Sequence, residues 1–361
     1  PSPVPLVDLP NELVENGIDF WEPLEGMLVS ADNGFVVAAT SRFGEFGMLL
    51  QADANAELGS GYFSQTKQIL IRSLGGGEVD YNPERILVDD ASIDDPVIVM
   101  PGDRIRSLVG VVDYTFGNYK LQPASVDVKN HKLPKSPVSR RSGGFGNTTI
   151  TTYNVENLFD LVDNPDKDDE SSTPSAAQLE TQLTKLALAV QIELALPEIL
   201  VVQEVENTAI LQTLGDRVNA AAGTNYSAVS FETSDGRGIE VGFLWDADRV
   251  SLVEAFQMSG PDVEAAFGPG SASPGREPLV GIFDIEGNEV IIIGNHFKSK
   301  GGDDPLFGVN QPPIRITEAQ RKQQAQAVRN FVNDVLGADP NARVVVAGDL
   351  NDFQFGEPGE G

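Results

Sequence analysis

Four short apolar runs in this chain each end in a residue able to bind a metal ion or a phosphate. Ile150-Thr151-Thr152-Tyr153 leads into Asn154, and Ile199-Leu200-Val201-Val202 leads into Gln203-Glu204. Val290-Ile291-Ile292-Ile293 leads into Asn295-His296, and Val344-Val345-Val346-Ala347 into Gly348-Asp349-Leu350-Asn351. Apolar runs of about four to eight residues, rich in β-branched types, read as strands buried on both faces. Polar groups just past such strands collect along one edge of a sheet, where layered α/β folds place their sites. A carboxylate pair, two amides and an imidazole gathered there suit metal-assisted attack of water on a phosphate.

The elements that must position these residues alternate between strands and helices. The spacing of Leu179, Leu183, Leu186 and Val190 predicts an amphipathic helix over 175–195, opened by Ser172-Thr173-Pro174-Ser175. A second helix is expected over 317–336, stacking Ala325, Val328, Phe331, Val332 and Val335. A further strand, Val241 to Trp245, follows Arg237. The residues before this region read differently. Residues 1–125 look all-β, with short runs at Leu24–Val29, Gly34–Ala38, Gly47–Gln51 and Arg104–Val112 punctuated by Gly, Asn and Asp. Asp113 to Tyr119 reads as a hairpin turning at Gly117-Asn118. Residues 126–146, rich in Lys, Pro, Ser and Gly, are expected to be a linker, which leaves 147–361 as a second domain. The acidic loop Asp163 to Glu170 lacks the glycine and spacing of an EF-hand; Ca²⁺ in another geometry is the alternative there.

Composition narrows the functional classes. The chain has 361 residues, enough for two cores, and no cysteine, which excludes disulfides and thiolate zinc sites. No apolar stretch approaches the ~18 residues of a membrane span. No signal peptide is visible, and the opening Pro1-Ser2-Pro3-Val4-Pro5 looks like a mature or trimmed end. The composition fits a cytosolic protein or a bacterial secreted one. With 25 Lys+Arg against 54 Asp+Glu, the net charge is −29, which repels polyanions at long range. Nucleic-acid binding driven by backbone charge needs Lys/Arg clusters and is disfavoured. A nuclease is not, since it needs only a local positive path and a divalent ion.

Taken in order, Tyr153-Asn154-Val155-Glu156-Asn157-Leu158, Gln203-Glu204-Val205-Glu206-Asn207, Asn295-His296-Phe297-Lys298-Ser299-Lys300-Gly301-Gly302 and Gly348-Asp349-Leu350-Asn351-Asp352 resemble motifs of the endonuclease/exonuclease/phosphatase superfamily. The branch they resemble most is that of bacterial extracellular nucleases related to DNase I. Gly-Asp-Leu-Asn alone is a weak motif; four motifs in order, at gaps of 50, 92 and 53 residues, are specific. Asn82 to Asp90 and Asp113 to Pro123 resemble the OB-fold-like domain that precedes the catalytic domain in those nucleases. The resemblance implies an α/β fold, a DNase I-like four-layer β-sandwich flanked by helices, after a small all-β OB-like barrel. It also implies secretion, and no protein partner follows from it.

The resemblance implies roles as well. Glu204 would be the main Mg²⁺ or Mn²⁺ ligand, since a hard cation prefers carboxylate oxygen. Asn154 would help hold the metal, through a water or a phosphate oxygen. Asp349 would orient the attacking water and help deprotonate it, and Asn351 would steady the phosphorane. His296 would hydrogen-bond the scissile phosphate or protonate the leaving oxygen. Lys298 and Lys300 would add positive charge, and Arg237 is a further phosphate candidate. Taken singly, each residue has a plainer reading. Asn154 could cap a turn; Glu204 could serve a salt bridge; His296 could be structural; Asp349 and Asn351 could form a turn; the lysines and Arg237 could be solvated. His131 reads as a linker residue. Their joint occurrence favours the functional reading.

One departure concerns the end of the chain. The superfamily usually continues, after Gly-Asp-x-Asn, to a Ser-Asp-His segment whose histidine activates water, and none follows Asn351 before Gly361. The expectation is that the catalytic domain is C-terminally incomplete. The leading functional expectation is a divalent-metal-dependent endonuclease on DNA, with RNA as a second substrate. A phosphomonoesterase or lipid phosphodiesterase on the same scaffold is the rival, since fold does not fix substrate. A non-catalytic module gripping single strands on the barrel is the third reading. It would use Phe43, Phe46, Tyr62, Phe63, Tyr114, Phe116 and Tyr119 beside Arg42, Lys67, Arg72, Arg104, Arg106 and Lys120.

Overall fold

The computed structural model describes residues 2–6, 14–41, 43–50, 73–75, 78–79, 81, 83–90, 93, 97–129, 148–168, 173–271 and 273–352. The chain forms two compact units. One comprises 1–133 and 302–316 with 353–361, and the other 134–301 with 317–352. Residues 130–147, which hold His131 and most of the expected linker, lie outside the described residues; Val126 to Lys129 still belong to a strand.

The first unit is a closed β-barrel. It contains β1 (Val4–Leu6), helix α1 (Val14–Trp21), β2 (Leu28–Ala38) and β3 (Phe46–Leu50). A small two-stranded pair, β4 (Ser73–Gly75) with β5 (Glu78–Val79), follows, and then β6 (Ile86–Val88), β7 (Arg104–Thr115) and β8 (Asn118–Lys129). Six strands are ordered β1-β2-β3-β6-β8-β7, and pairing of β7 back onto β2 closes the ring. Closure removes the unpaired edges that an open sheet would leave. Two details differ from the sequence reading. Only Leu28 and Val29 of the run expected at 24–29 are strand, Leu24 ending a 3-10 turn; they form one strand with 34–38, because Asn33 takes φ 58° and bends it without ending its pairing. β2 therefore faces β7 over 28–35 and β3 over 34–38. The hairpin turns at Phe116-Gly117, one residue earlier than expected, with Thr115 opposite Asn118. Both turn residues have positive φ (51° and 71°), the geometry of a type I′ turn.

Apolar residues fill the barrel. Trp21, Val29, Met48, Ile105, Leu108 and Leu121 are buried in one cluster, joined by Phe307 from the 302–316 segment. The Tyr114 hydroxyl donates to the Phe307 carbonyl at 2.8 Å, and Tyr119 stacks on Trp21. Several aromatics considered for a strand-binding face are thus committed to the interior. Phe46 and Tyr119 are buried, whereas Phe43 and Phe116 are exposed. Arg42, Tyr62, Phe63, Lys67 and Arg72 lie outside the described residues.

The second unit holds two four-stranded sheets and four helices. In chain order these are β9 (Ile150–Leu158), α2 (Ala176–Leu188), β10 (Ile199–Val205), α3 (Thr208–Ala222), β11 (Tyr226–Ser230) and β12 (Glu240–Asp246). Then come β13 (Ser251–Gln257), α4 (Pro261–Ala266), β14 (Arg276–Ile285), β15 (Asn288–His296), α5 (Glu318–Ala338) and β16 (Val344–Asp349). One sheet has the order β11-β12-β10-β9 and the other β13-β14-β15-β16. Side chains alternate across a strand, so the continuous apolar run of β10 serves two cores. Ile199 and Val201 pack with Val241, Phe243, Leu279, Phe283 and Ile292 between the sheets. Leu200 and Val202 pack on the opposite face with Leu183, Val190, Leu211 and Leu214 from the helical side. In the second sheet, Val280 and Ile293 meet Phe267, Ala327 and Val328.

Helix boundaries follow local chemistry. Ser175 caps α2 in a reciprocal capping box with Gln178. Helix α5 starts one residue after Thr317 and runs to Ala338, and its buried stripe matches the expected one in part. Val328 is buried as expected, with Phe331 and Val332 packed against the same core, whereas Ala325 is exposed and Arg321, Gln324 and Ala327 are buried in addition. Two polar side chains occupy that stripe because they bind the backbone of the loop after β15, as shown next.

Candidate active site

Strand β9 lies parallel to β10 with Asn154 beside Gln203. Past that pair the register jumps to Val205 opposite Leu158, so three residues of β9 face one of β10. The bulge is made by non-glycine residues at positive φ: Glu156 (55°), Asn157 (56°) and Glu204 (64°). Such conformations cost on the order of 1–3 kcal/mol each and persist where their surroundings hold them. Here the bulge turns Glu204 out of the sheet. Its Oε1 accepts from Asn154 Nδ2 at 3.0 Å and its Oε2 from the Asn157 amide at 3.1 Å. The side chain of Gln203 points inward and is used structurally, donating to Val201 O and accepting from the Thr152 hydroxyl.

The second sheet contributes His296 and Asp349, which are register partners on the parallel strands β15 and β16. Gly348, at φ 137°, lets the strands approach here; a Cβ at that position would lie 2.0 Å from the Asn295 carbonyl oxygen. Asp349 Oδ2 accepts from the same Asn154 Nδ2 at 3.1 Å, and its Oδ1 accepts from the Asn351 amide at 2.9 Å. One asparagine amide thus joins the carboxylates of the two sheets. Asn351 donates its side-chain amide to Phe297 O at 3.1 Å. His296 is buried, with Nε2 3.6 Å from Glu204 Oε1, too far for a good hydrogen bond. Burial, with the charges of Arg276 and Arg237, pushes its pKa down to about 2, so the imidazole is neutral. Its Nδ1 is buried without a hydrogen-bond partner among the described residues.

A cleft of about 620 Å³ opens beside these groups, lined by Glu204, His296 and Asn351 and also by Arg237, Arg276 and Lys298. The three expected cations differ in setting. Lys298 Nζ donates to the Ser273 hydroxyl at 3.2 Å, and Lys300 Nζ donates to the Asn351 carbonyl at 2.8 Å. Arg237 is half exposed, with Nε 3.6 Å from Asp235.

The sequence reading missed Arg276, whose buried guanidinium pairs with Asp235 at 2.7 Å and donates to the carbonyls of His296 and Phe297. It also missed Gln324 and Arg321, which bond the amide and the carbonyl of Lys298. A basic residue at the start of a strand whose centre is apolar, as Arg276 precedes Leu279 to Phe283 in β14, was the available signal.

Glu204 and Asp349 form an oxygen-only donor set suited to a hard cation. Neither ion-pairs with a Lys or Arg among the described residues, although one amide draws them together. A divalent cation would relieve that charge, so the residues present fit one. Among the described residues no three His, Asp or Glu side chains group as a metal cage. A cation here would therefore rely on Glu204, the Asn154 amide and ligands from outside the chain.

Comparison with known families decides the relationship. Residues 149–358 match the model of the Endonuclease/Exonuclease/phosphatase family. This chain belongs to that family. Residues 9–132 match a domain of unknown function. A comparison with curated proteins gave no match. Among solved structures, the chain is similar to a humanised D. rerio TDP2 at 19% identity, covering 58% of this chain and 67% of that one, TM-score 0.36. It is similar to TDP2 from C. elegans at 18% identity, covering 49% and 44%, TM-score 0.34. A mannosyl-6-phosphatase from Bacteroides thetaiotaomicron is similar at 18% identity, covering 57% and 66%, TM-score 0.36. The chain thus spans less than half of the second and just under two thirds of the third. Membership in the family carries hydrolysis of phosphoester bonds and divalent-metal dependence as general expectations. Among the described residues no helix is long and apolar enough to cross a membrane.

Proposed function

We propose that this chain is a secreted, divalent-metal-dependent endonuclease that hydrolyses phosphodiester bonds of DNA, and of RNA as a second substrate. The observation that carries this reading is the convergence of Glu204 and Asp349 on the Asn154 amide, with neutral His296 beside them and, among the described residues, no Lys or Arg pairing either carboxylate. In this reading Glu204 and Asn154 hold Mg²⁺ or Mn²⁺, which supplies Lewis-acid activation of a phosphate oxygen and of water. Asp349, fixed by Asn154 and the Asn351 amide, orients the attacking water. His296, neutral at ordinary pH, acts by hydrogen-bonding the scissile phosphate, which the lowered pKa favours over proton donation. Asn351, whose Nδ2 gives one hydrogen to Phe297 O, has a second to donate to the phosphorane. Lys298 and Arg237, on the cleft wall, give the local positive path that a chain of net charge −29 requires, and Lys300 fixes the Asn351 backbone.

The finer fold reading belongs here too. Helices, sheet, sheet and helices pack in succession through three apolar clusters, which supports a DNase I-like four-layer arrangement. The ring β2-β3-β6-β8-β7, antiparallel except for the pair β6–β8 and with β1 added parallel to β2, supports an OB-fold-like first domain. Plasmid nicking by the full protein tests the proposal: supercoiled DNA should relax with Mg²⁺ or Mn²⁺ and stay intact with chelator. Rapid hydrolysis of a phosphomonoester with untouched plasmid would transfer the site to the rival reading, a phosphomonoesterase.

A further inference from the structure

Residues 155–157 have no register partners on β10, because the pairing passes from Asn154–Gln203 to Leu158–Val205. Their backbone groups need other partners, since unpaired polar backbone is costly wherever water is excluded. The amides turn toward the site: Glu156 N donates to Asn154 Oδ1 at 2.9 Å and Asn157 N to Glu204 Oε2 at 3.1 Å. The carbonyls turn the other way, and one side chain collects them. Gln182 Nε2, from the middle of α2, lies 3.2, 3.0 and 3.4 Å from the carbonyl oxygens of Val155, Glu156 and Asn157. Two amide hydrogens are thus shared over three consecutive carbonyls, on a segment where two residues hold positive φ.

We propose that Gln182 is a positioning residue for the cation site. It touches neither Glu204 nor Asn154. It holds the bulge in the one orientation that aims two backbone amides at their side-chain oxygens, and so sets where those oxygens present themselves to a cation. This rests on the reading that Glu204 and Asn154 hold the metal. Groups that orient ligands from behind typically change metal affinity about 10–100-fold when removed. Without the Gln182 amide, the carbonyls of 155–157 turn toward water and the bulge samples other conformations. The cost falls on cation binding more than on the chemical step.

The test is Mn²⁺ titration by calorimetry on the full protein, with thermal unfolding of the same samples, for Gln182→Leu and Gln182→Met. Both variants keep a good helix former and the volume of the side chain while removing the donor. The control is Gln178→Ala, which breaks the capping box of the same helix without touching the bulge. The expected result is a Kd for Mn²⁺ about tenfold weaker in both Gln182 variants and unchanged in the control, which loses only thermal stability. In cleavage assays the Mn²⁺ concentration for half-activation should rise by a similar factor, while kcat at saturating Mn²⁺ stays within about threefold of the parent. Kd within twofold of the parent in both Gln182 variants overturns the proposal. So does a weakening that the control shares, because Gln182 would then support only the helix. A parent protein that binds no Mn²⁺ overturns the metal reading itself, and the positioning role with it.

Discussion

The barrel and the second unit each bring two carboxylates close together, and they treat them in opposite ways. In the barrel, Glu45 and Asp89 meet on Lys120, whose ammonium is 4% exposed and bonds to both. Burial alone would lower the Lys120 pKa, but hydrogen bonds to Glu45 and Asp89 more than offset this, and it ends raised. The cluster carries its own cation: one ammonium bonds both carboxylates. In the second unit, Glu204 and Asp349 meet on a neutral amide, beside an imidazole that burial keeps uncharged. A structural cluster pairs its carboxylates with a cation of its own. A candidate site leaves charge for something from outside to close, and here that difference distinguishes the two units more clearly than burial or hydrogen-bond count.

The largest effect should come from removing one of the open charges. Glu204→Gln keeps shape and most hydrogen-bonding capacity but leaves Asp349 alone on Asn154. Cleavage of a phosphodiester is expected to fall by about 10²–10⁴-fold, with Mn²⁺ binding lost and unfolding midpoint unchanged or raised. His296→Ala should lower turnover while Mn²⁺ binding persists. If Glu204→Gln unfolds the protein instead, the cluster is structural, like its counterpart in the barrel, and the contrast fails.

Part of this was legible from residue order alone. The runs ending at Asn154, Glu204, His296 and Asp349 could be read as strands from their β-branched residues, although the expected burial on both faces holds for β10 and not for the edge strands β9 and β16, where Thr152 and Val346 are exposed. The start of α2 was legible because Ser175 with Gln178 is a local cap. What stayed hidden depends on pairing between distant segments. The bulge at 155–157 exists only against β10, so no local pattern announces that Glu156, Asn157 and Glu204 take positive φ. Arg276 finds Asp235 across 41 residues, and Phe307 enters the barrel core from 302–316, far along the chain from the barrel strands. The stripe on α5 was only partly legible for the same reason: Val328 is buried as its spacing predicts, but Arg321 and Gln324 are buried because they bond the Lys298 backbone, not because they are apolar.

The reciprocal test breaks the closed cluster. Lys120→Met removes the cation and strands two carboxylates, which should destabilise the barrel. The cost should be about 2–3 kcal/mol, below that of a fully buried pair because Glu45 keeps some solvent contact. Urea unfolding followed by the Trp21 signal measures it, and Mn²⁺ affinity should stay unchanged. Replacing all three residues with apolar ones should recover most of the loss, since a cluster that only closes its own charge can be exchanged for packing.

Glu240 adds a third way of treating a buried carboxylate, relief by a proton. It begins β12 opposite Val205, is 5% exposed, and its Oε2 has no hydrogen-bond partner among the described residues. Burial raises its pKa from 4.5 to about 7, with Glu232 and Glu206 adding to the shift and Ser230 and Lys167 opposing it. In the unfolded chain this group ionises from about pH 4.5 upward, whereas in the folded chain it keeps its proton until about pH 7. Between those values the folded state binds more protons than the unfolded one, so stability falls as pH rises through the window. The sign is opposite to that of a carboxylate paired with a cation. Glu240→Gln, which mimics the protonated form, should flatten this limb and raise stability at pH 8 by roughly 2 kcal/mol, leaving stability at pH 4 nearly as in the parent. Unfolding free energies of parent and variant from pH 4 to 8 read this directly. If the difference between them does not grow with pH, a cation already neutralises Glu240, and the barrel's way of closing charge extends into the second unit after all.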